Sequence, residues 1–366
     1  MFRVLFMPFL RIPSGHHHAA DSIKDQLEYS DEISEEIDYD KLEILSHCFG
    51  KLESFISSLY LQSIHKVPAI YSQIYRFSVV KGSKSKIYQF YDRLFLKKML
   101  QALEARDPHL VICTHSLPSY LLSKLKENNQ WSGKVVNVYT DYFVNDLWAI
   151  NHIDYHFVPS EHVKQELKEK GVLEKNIRVT GIPIHPIFKQ QTRGNRKAKE
   201  KLIVLVSGGN MGAGSIEKLL QSLNASGTIS YYVLCGKNHV LYRKIQQLHN
   251  SEIKAIPYLR SKEDMNKLYD KADAIITKPG GVTVTECLWK KLPIFVYEAL
   301  PGQEEFNLHY LKRQGLVFHL EDWKDSSKNM EEQILNRLQE EHQQWDVFHQ
   351  GIENEDIAQI IKEVLC

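Results

Sequence analysis

Short apolar runs rich in Val and Ile recur along this chain, each followed by a Gly, Pro or His turn and then an amphipathic stretch. In the first half they fall at residues 4–7, 110–113, 135–139 and 155–158; in the second, at 202–206, 231–234, 274–276 and 293–297. Runs this short, closed by turn residues, suit strands buried on both faces, as in parallel sheets. Helical patterns at 160–170 and 262–269 lie between them, which is the rhythm of repeated βα units. The pattern predicts α/β architecture in two domains.

Length agrees, because 366 residues at roughly 150 per domain make two domains, each able to bury a core. The boundary is legible. After Gly181-Ile182-Pro183-Ile184-His185-Pro186 the chain enters 189–201, where six bases face one acid, a net +5 that reads as a solvated linker. We therefore expect a first domain at 1–188, a linker at 189–201, a second domain at 202–340 and a helical tail at 341–366. Ile334, Leu338, Trp345 and Phe348 supply apolar contacts near the end, which closes in an amphipathic segment at 357–365.

Charge excludes one class of function. Lys and Arg number 46 against 45 Asp and Glu, so the formal charge of +1 leaves no whole-molecule field for a polyanion, and no nucleic-acid partner is expected. Locally the balance is uneven. Residues 21–43 carry ten acids and two bases, a net −8 that reads as a solvated helix and loop. Residues 76–98 carry seven bases and one acid, a net +6, interleaved with Phe77, Tyr88, Phe90, Tyr91 and Phe95. That run suits either a solvated helix face or a surface lying on anionic lipid.

The five cysteines (Cys48, Cys113, Cys235, Cys287, Cys366) lie 52 or more residues apart with no CxxC, so reduced thiols in a cytosolic chain are expected. The longest stretch without Asp, Glu, Lys or Arg, the eighteen positions 219–236, is too polar for a membrane span. The N-terminal apolar run is broken by Arg and Pro and reads as a buried strand rather than a signal peptide.

Two glycine-rich turns carry the chemistry. The strand ending at Val206 leads into Ser207-Gly208-Gly209-Asn210-Met211-Gly212-Ala213-Gly214 and then a helix near Ser215. Glycines let backbone N–H groups approach a diphosphate, and a helix start adds partial positive charge. The spacing is not the dinucleotide fingerprint, and a tight βα turn without a ligand is the competing reading. The second turn, Thr277-Lys278-Pro279-Gly280-Gly281-Val282-Thr283, repeats the plan. Glu286 follows within the helix, where it can accept from a ribose diol or merely complement the helix dipole. Downstream, Pro301-Gly302-Gln303-Glu304-Glu305 with Asn307 sets amides and carboxylates on a loop after a strand, a chemistry suited to sugar hydroxyls.

His16-His17-His18 invites a metal reading, but adjacent side chains point apart, so one functional histidine beside two packed or solvated ones is expected. Asp38-Tyr39-Asp40 has the form of a metal-binding DxD, yet it sits in the acidic run away from any expected strand end, and chance explains it better.

These motifs together resemble the family of monogalactosyldiacylglycerol synthase and the bacterial processive diacylglycerol glucosyltransferases. The peptidoglycan N-acetylglucosaminyltransferase is a more distant relative. Further matches span almost the whole chain: Gly15-His16 with Ala19-Ala20, Tyr139-Thr140-Asp141 with Trp148, Val179-Thr180-Gly181-Ile182-Pro183 and Cys235-Gly236-Lys237-Asn238. The resemblance implies a GT-B fold, with two Rossmann-like domains facing a cleft and a C-terminal helix crossing back to the first domain. It implies inverting, metal-independent transfer from a UDP-sugar to an acceptor in the first domain. By position, Ser207 and the glycines at 208, 209, 212 and 214, with Lys237, Asn238, Gly280, Gly281, Val282 and Thr283, would hold the UDP. Pro257 and Tyr258 would meet uracil and Glu286 the ribose. Pro301, Gly302, Gln303, Glu304, Glu305 and Asn307 would face the donor sugar. His16 matches the family's base, and Asp141 would orient that base or contact the acceptor.

The sequence departs from the family at the acceptor side. Arg11-Ile12-Pro13-Ser14 stands where relatives carry a glycine pair, and Arg11 can bring a cation to an acidic sugar or lipid phosphate. Thr114-His115-Ser116, with Pro118 later, replaces a Thr-His-Pro turn, and Phe306 precedes Asn307. Arg11, His115, Pro118 and Trp148 are accordingly the expected acceptor or membrane contacts, aided by the apolar 59–74 region. The expectation is hexose transfer from a UDP-sugar to a lipid hydroxyl, foremost that of diacylglycerol, by a cytoplasmic protein bound peripherally to the membrane. Competing readings keep the fold: a small-molecule acceptor, a UDP-sugar 2-epimerase, or a non-catalytic UDP-sugar sensor.

Overall fold

Each of the eight apolar runs becomes a parallel strand, and four strands appear that the runs do not announce. The computed structural model describes residues 1–9, 14–30, 37–49, 92–190, 201–208, 216–223, 226–325, 329–340, 344–352 and 356–365. Met1–Ile184, Pro301–Gln303 and Gln350–Cys366 make up one unit, and His185–Leu300 with Glu304–His349 make up the other.

In the first unit, β1 (Phe2–Met7), β2 (Ile37–Lys41), β3 (Leu110–Cys113), β4 (Lys134–Val138), β5 (Tyr155–Val158) and β6 (Ile177–Val179) form a parallel sheet. Its order is β2-β1-β3-β4-β5-β6. Helices α1 (Gly15–Glu28), α2 (Ile44–Phe49), α3 (Lys97–Arg106), α4 (Ser116–Glu127) and α5 (Glu161–Glu169) lie in the crossovers, except that β4 passes to β5 through residues 139–154 without a helix. Alternate strand residues serve opposite faces. Leu5, Met7, Val111, Cys113 and Val135 pack with Met99 of α3 and Leu121 of α4. Val4, Phe6, Leu110, Ile112, Val136 and Val138 pack with Ala20, Ile23 and Leu27 of α1. Both faces are therefore dry, which explains why the central strands read as unbroken apolar runs.

The second unit repeats the plan with β7 (Leu202–Ser207), β8 (Ile229–Leu234), β9 (Ile253–Ile256), β10 (Ala274–Thr277), β11 (Ile294–Val296) and β12 (Phe318–His319), ordered β12-β11-β10-β7-β8-β9. Its helices are α6 (Ile216–Ser222), α7 (His239–Gln247), α8 (Lys262–Lys271), α9 (Gly281–Trp289), α10 (Gln303–Arg313), α11 (Met330–Leu338) and α12 (Gln344–Gln350). Just past α9, Lys290 is almost wholly buried, and its ammonium donates to the Gln190 carbonyl at 2.7 Å and to Asp270 at 2.8 Å.

A last helix, α13 (Ile357–Leu365), belongs to the first unit. Ile357, Ile360, Ile361 and Val364 recur at helical spacing and join the core face of Val4, Phe6 and α1. Lys134 Nζ donates to the Val364 carbonyl at 2.5 Å and fixes the helix end.

The acidic run departs from expectation. Residues 37–41 form edge strand β2 rather than helix or loop; Ile37 turns inward while Asp38 and Asp40 face solvent, with Asp40 2.6 Å from Arg106 Nε. The Asp38-Tyr39-Asp40 triplet is thus mid-strand. Of the basic run only 92–98 is described; there Phe95 is buried in the core and Lys98 donates to the Cys48 carbonyl. The rest of that run, with residues 59–74, lies outside the described residues. Cys48, Cys113, Cys235 and Cys287 are buried free thiols. Among the described residues no helix is long and apolar enough to cross a membrane.

Truncating a fully buried contact of α13 tests its place in the core. Ile361→Ala is expected to cost about 2–5 kcal/mol of stability, read as a lower urea midpoint with an unchanged slope.

Candidate active site

In a doubly wound parallel sheet the loops after the strands gather at one edge, and ligands sit where the strand order reverses. The first unit reverses between β1 and β3, the second between β7 and β10. The motif loops fall at these two places.

In the first unit His16 is the second residue of α1, reached from the end of β1. Its Nδ1 lies 2.9 Å from Thr140 Oγ1, two residues past β4. His115, just past β3, meets the His16 ring edge-to-face at 4.9 Å, and Phe9 stacks on His115 at 4.0 Å and 5°. His115 Nδ1 accepts from the Leu117 N–H at 3.1 Å, so the neutral ring carries its proton on Nε2. Burial pushes the His16 pKa down to about 4, offset in part by a hydrogen bond to the Thr114 carbonyl. Burial and the neighbouring His16 hold His115 well below the ordinary histidine range. Both imidazoles are neutral at neutral pH.

The neighbours divide by role. Asp141 follows Thr140 and lies 3.5 Å from the Gln303 amide, both within the first unit. Pro118 occupies the first turn of α4, where its missing N–H has no acceptor to lose. Trp148 is half-buried with its ring 4.6 Å from Tyr139. Arg11 lies outside the described residues. His17 is buried, with Ser14 Oγ 3.3 Å from its Nδ1 and the Glu43 carboxylate 3.8 Å from Nε2. Among the described residues no group of three His, Cys, Asp or Glu is placed to hold a metal ion.

In the second unit Ser207 ends β7 and is buried, with Gly208 following; Gly209, Gly212 and Gly214 lie outside the described residues. After β10 the chain runs through Lys278, Pro279 and Gly280 into α9. Gly280 has φ −78° and ψ 143°, which any residue adopts, and a Cβ there would meet nothing within 4 Å. Neither backbone strain nor internal packing calls for glycine at that position. Gly302 differs, because its φ of +99° favours glycine on conformation alone. Val282 is buried and Thr283 half-buried.

Lys278 is a residue the motif reading quoted but did not assign. It is 6% exposed, and among the described residues its ammonium has no hydrogen-bond or ion-pair partner. Lysine inside a glycine turn was the available signal. Glu286 is also buried; its Oε2 accepts from Tyr269 Oη at 2.9 Å, while Oε1 makes no hydrogen bond among the described residues. Burial raises the Glu286 pKa, against the charge of Lys262 and the Tyr269 hydrogen bond.

The remaining positions are dispersed. Lys237 Nζ sits 5.4 Å from the Tyr258 ring, and Pro257 and Tyr258 are exposed after β9. Asn238 caps α7, its Oδ1 accepting from the Leu241 N–H at 2.9 Å. Pro301 and Gly302 precede α10, whose first residues are Gln303, Glu304 and Glu305. Glu304 Oε2 accepts from the Leu300 N–H at 2.6 Å, and Asn307 is buried.

Comparison with known proteins follows this division of the chain. The profile of monogalactosyldiacylglycerol (MGDG) synthase matches residues 16–184, and that of the glycosyltransferase family 28 C-terminal domain matches 203–363. An uncharacterized glycosyltransferase, YkoN of Bacillus subtilis, is 44% identical over 324 residues, covering 88% of this chain and 85% of its own. The chain belongs to the monogalactosyldiacylglycerol synthase family of glycosyltransferases. A relative within reach of this family, named processive diacylglycerol beta-glucosyltransferase in Bacillus cereus (strain G9842), is 30% identical, covering 76% of this chain and 74% of its own. Among solved structures, a Staphylococcus aureus MnaA–UDP co-structure has a TM-score of 0.61 at 14% identity, covering 100% of this chain and 96% of its own. The protein is a glycosyltransferase of GT-B fold, built on two parallel six-stranded sheets.

Three buried or half-buried histidines of this glycosyltransferase share one direction: His16, His17 and His156 are each lowered to about 4, chiefly by burial. Their unfolded values lie near ~6.5, so between about pH 4 and 6.5 the unfolded chain binds more protons. Stability therefore falls as pH drops through that window. Glu286, raised in the fold, opposes the trend as a single group. The urea midpoint is expected to decrease steadily from pH 6.5 to pH 4; a flat midpoint would contradict the buried neutral imidazoles.

Proposed function

We propose that this protein transfers a hexose from a UDP-sugar to a lipid hydroxyl, that of diacylglycerol, with inversion at the anomeric carbon. The first unit takes the acceptor and the second the donor. The observation that carries the reading is His16, a neutral imidazole at the point where the first sheet reverses its strand order. A neutral imidazole accepts a proton; a charged one does not. As the acceptor oxygen bonds to the anomeric carbon, its proton passes to His16. The bond from that carbon to the diphosphate oxygen breaks, and its electron pair leaves with UDP. One displacement from the opposite face inverts the configuration.

The second unit suits the leaving group. Lys278 is a mostly buried side chain whose ammonium has no counter-ion among the described residues, a cation available to a bound anion. Gly280 leaves open space beside it, and the N-terminus of α9 adds partial positive charge. Glu286, held through one oxygen by Tyr269, offers the other to a ribose hydroxyl. These groups stabilise departing UDP without a metal, so turnover is expected to survive EDTA. UDP in the fold neighbour MnaA and the lipid named for the Bacillus cereus relative support the choice of donor and acceptor. The protein works on the lipid from the cytoplasmic membrane face as a peripheral protein.

The test is to incubate the protein with a panel of UDP-sugars and diacylglycerol-containing vesicles and identify products by mass. A new glycolipid with released UDP is expected. A glycosylated small molecule alone, or an isomeric nucleotide sugar without UDP release, would replace the lipid-transfer reading. His16→Ala should abolish turnover, at least about a hundredfold, with UDP affinity unchanged. Wild-type rates would remove His16 from the mechanism. Glu286→Ala should weaken UDP binding by about tenfold, roughly 1.4 kcal/mol, in calorimetry; unchanged affinity would sink the ribose role.

A further inference from the structure

The imidazole that accepts the proton has two nitrogens, and only one can face the acceptor. Nδ1 is committed: it lies 2.9 Å from Thr140 Oγ1. Thr140 is buried, and among the described residues its hydroxyl has no other hydrogen-bond partner. The ring cannot turn freely either. His115 abuts it edge-on at 4.9 Å, and Phe9 at 4.0 Å backs His115 in turn. His115 is itself fixed by the Leu117 N–H at 3.1 Å.

We propose that Thr140 is the positioning residue of the proposed base, its hydroxyl oxygen accepting from His16 Nδ1–H and so leaving the Nε2 lone pair bare toward the acceptor. This rests on the proposed role of His16. The sequence motif suggests the adjacent carboxylate, Asp141, for this task; the geometry selects the neutral hydroxyl one residue earlier. The neutral ring carries one proton, on one nitrogen or the other. With Nε2 needed as the base, that proton belongs on Nδ1. In the transfer the acceptor proton ends on Nε2, the Nδ1 proton stays on the Thr140 side, and no proton crosses to Thr140.

Thr140→Val keeps shape and removes the hydroxyl, and Thr140→Ser keeps the hydroxyl. Two readouts on the full chain test the proposal: steady-state kinetics, and nitrogen-15 NMR of the His16 ring, which reports its tautomer without any turnover. The wild type should show the Nδ1–H tautomer. Thr140→Val should lose that preference and lower kcat by about 10-fold to 100-fold with the KM for UDP-sugar unchanged, while Thr140→Ser stays within about threefold of wild type. An Nε2–H tautomer in the wild type overturns the proposal, even if Thr140→Val does not fold. So does a Thr140→Val protein with wild-type kcat. If His16→Ala keeps wild-type turnover, the base assignment fails instead, and the tautomer result still reports on Thr140.

Discussion

Parallel pairing is the constraint on which everything else in this molecule depends. Two parallel neighbours cannot be joined by a tight hairpin, so each is reached through a long crossover, in most cases one that packs a helix against the sheet; β4 reaches β5 through residues 139–154 without one. The strands then lie dry on both faces, and the loops that follow them collect at a single edge. The first sheet carries His16, His115 and Thr140 on the loops after β1, β3 and β4. The second carries Ser207 after β7 and Lys278 to Gly281 after β10. Residues more than a hundred positions apart meet because strand direction leaves them no other place.

Two lysines of the second unit differ in how they are paired. Lys290 is buried and held by Asp270 and the Gln190 carbonyl, which accounts for it within the protein. Lys278, nearly as buried, has no such partner among the described residues. The two lie on either side of α9, one before its first residue and one after its last.

The central strands were legible in the sequence and the edge strands were not. The four strands without an apolar run, β2, β6, β9 and β12, are the four edges of the two sheets. An edge strand is paired on one side only and is open to solvent, so polar residues are tolerated within it. Asp38 and Asp40 in β2 and Lys254 in β9 broke the apolar signal for that reason. The candidate site was legible where a motif demands unusual residues, as at Gly280, whose openness no packing explains. It was not legible where the role depends on a contact. Thr140 was visible only as part of a motif, because its partner lies 124 residues away and sequence spacing does not report a 2.9 Å approach.

The placement of α13 bears on how the chain is made. Ile357, Ile360, Ile361 and Val364 complete a core face begun by Val4 and Phe6, so the first unit draws on both extremes of the chain. All of the second unit lies between them in sequence. During synthesis from the N-terminus, the second unit has every residue it needs before α13 emerges. The unit that is synthesised first is therefore the last to close. Until then the face of Val4, Phe6 and α1 that α13 covers stays open, so the first unit cannot finish its core before the whole second unit has been made.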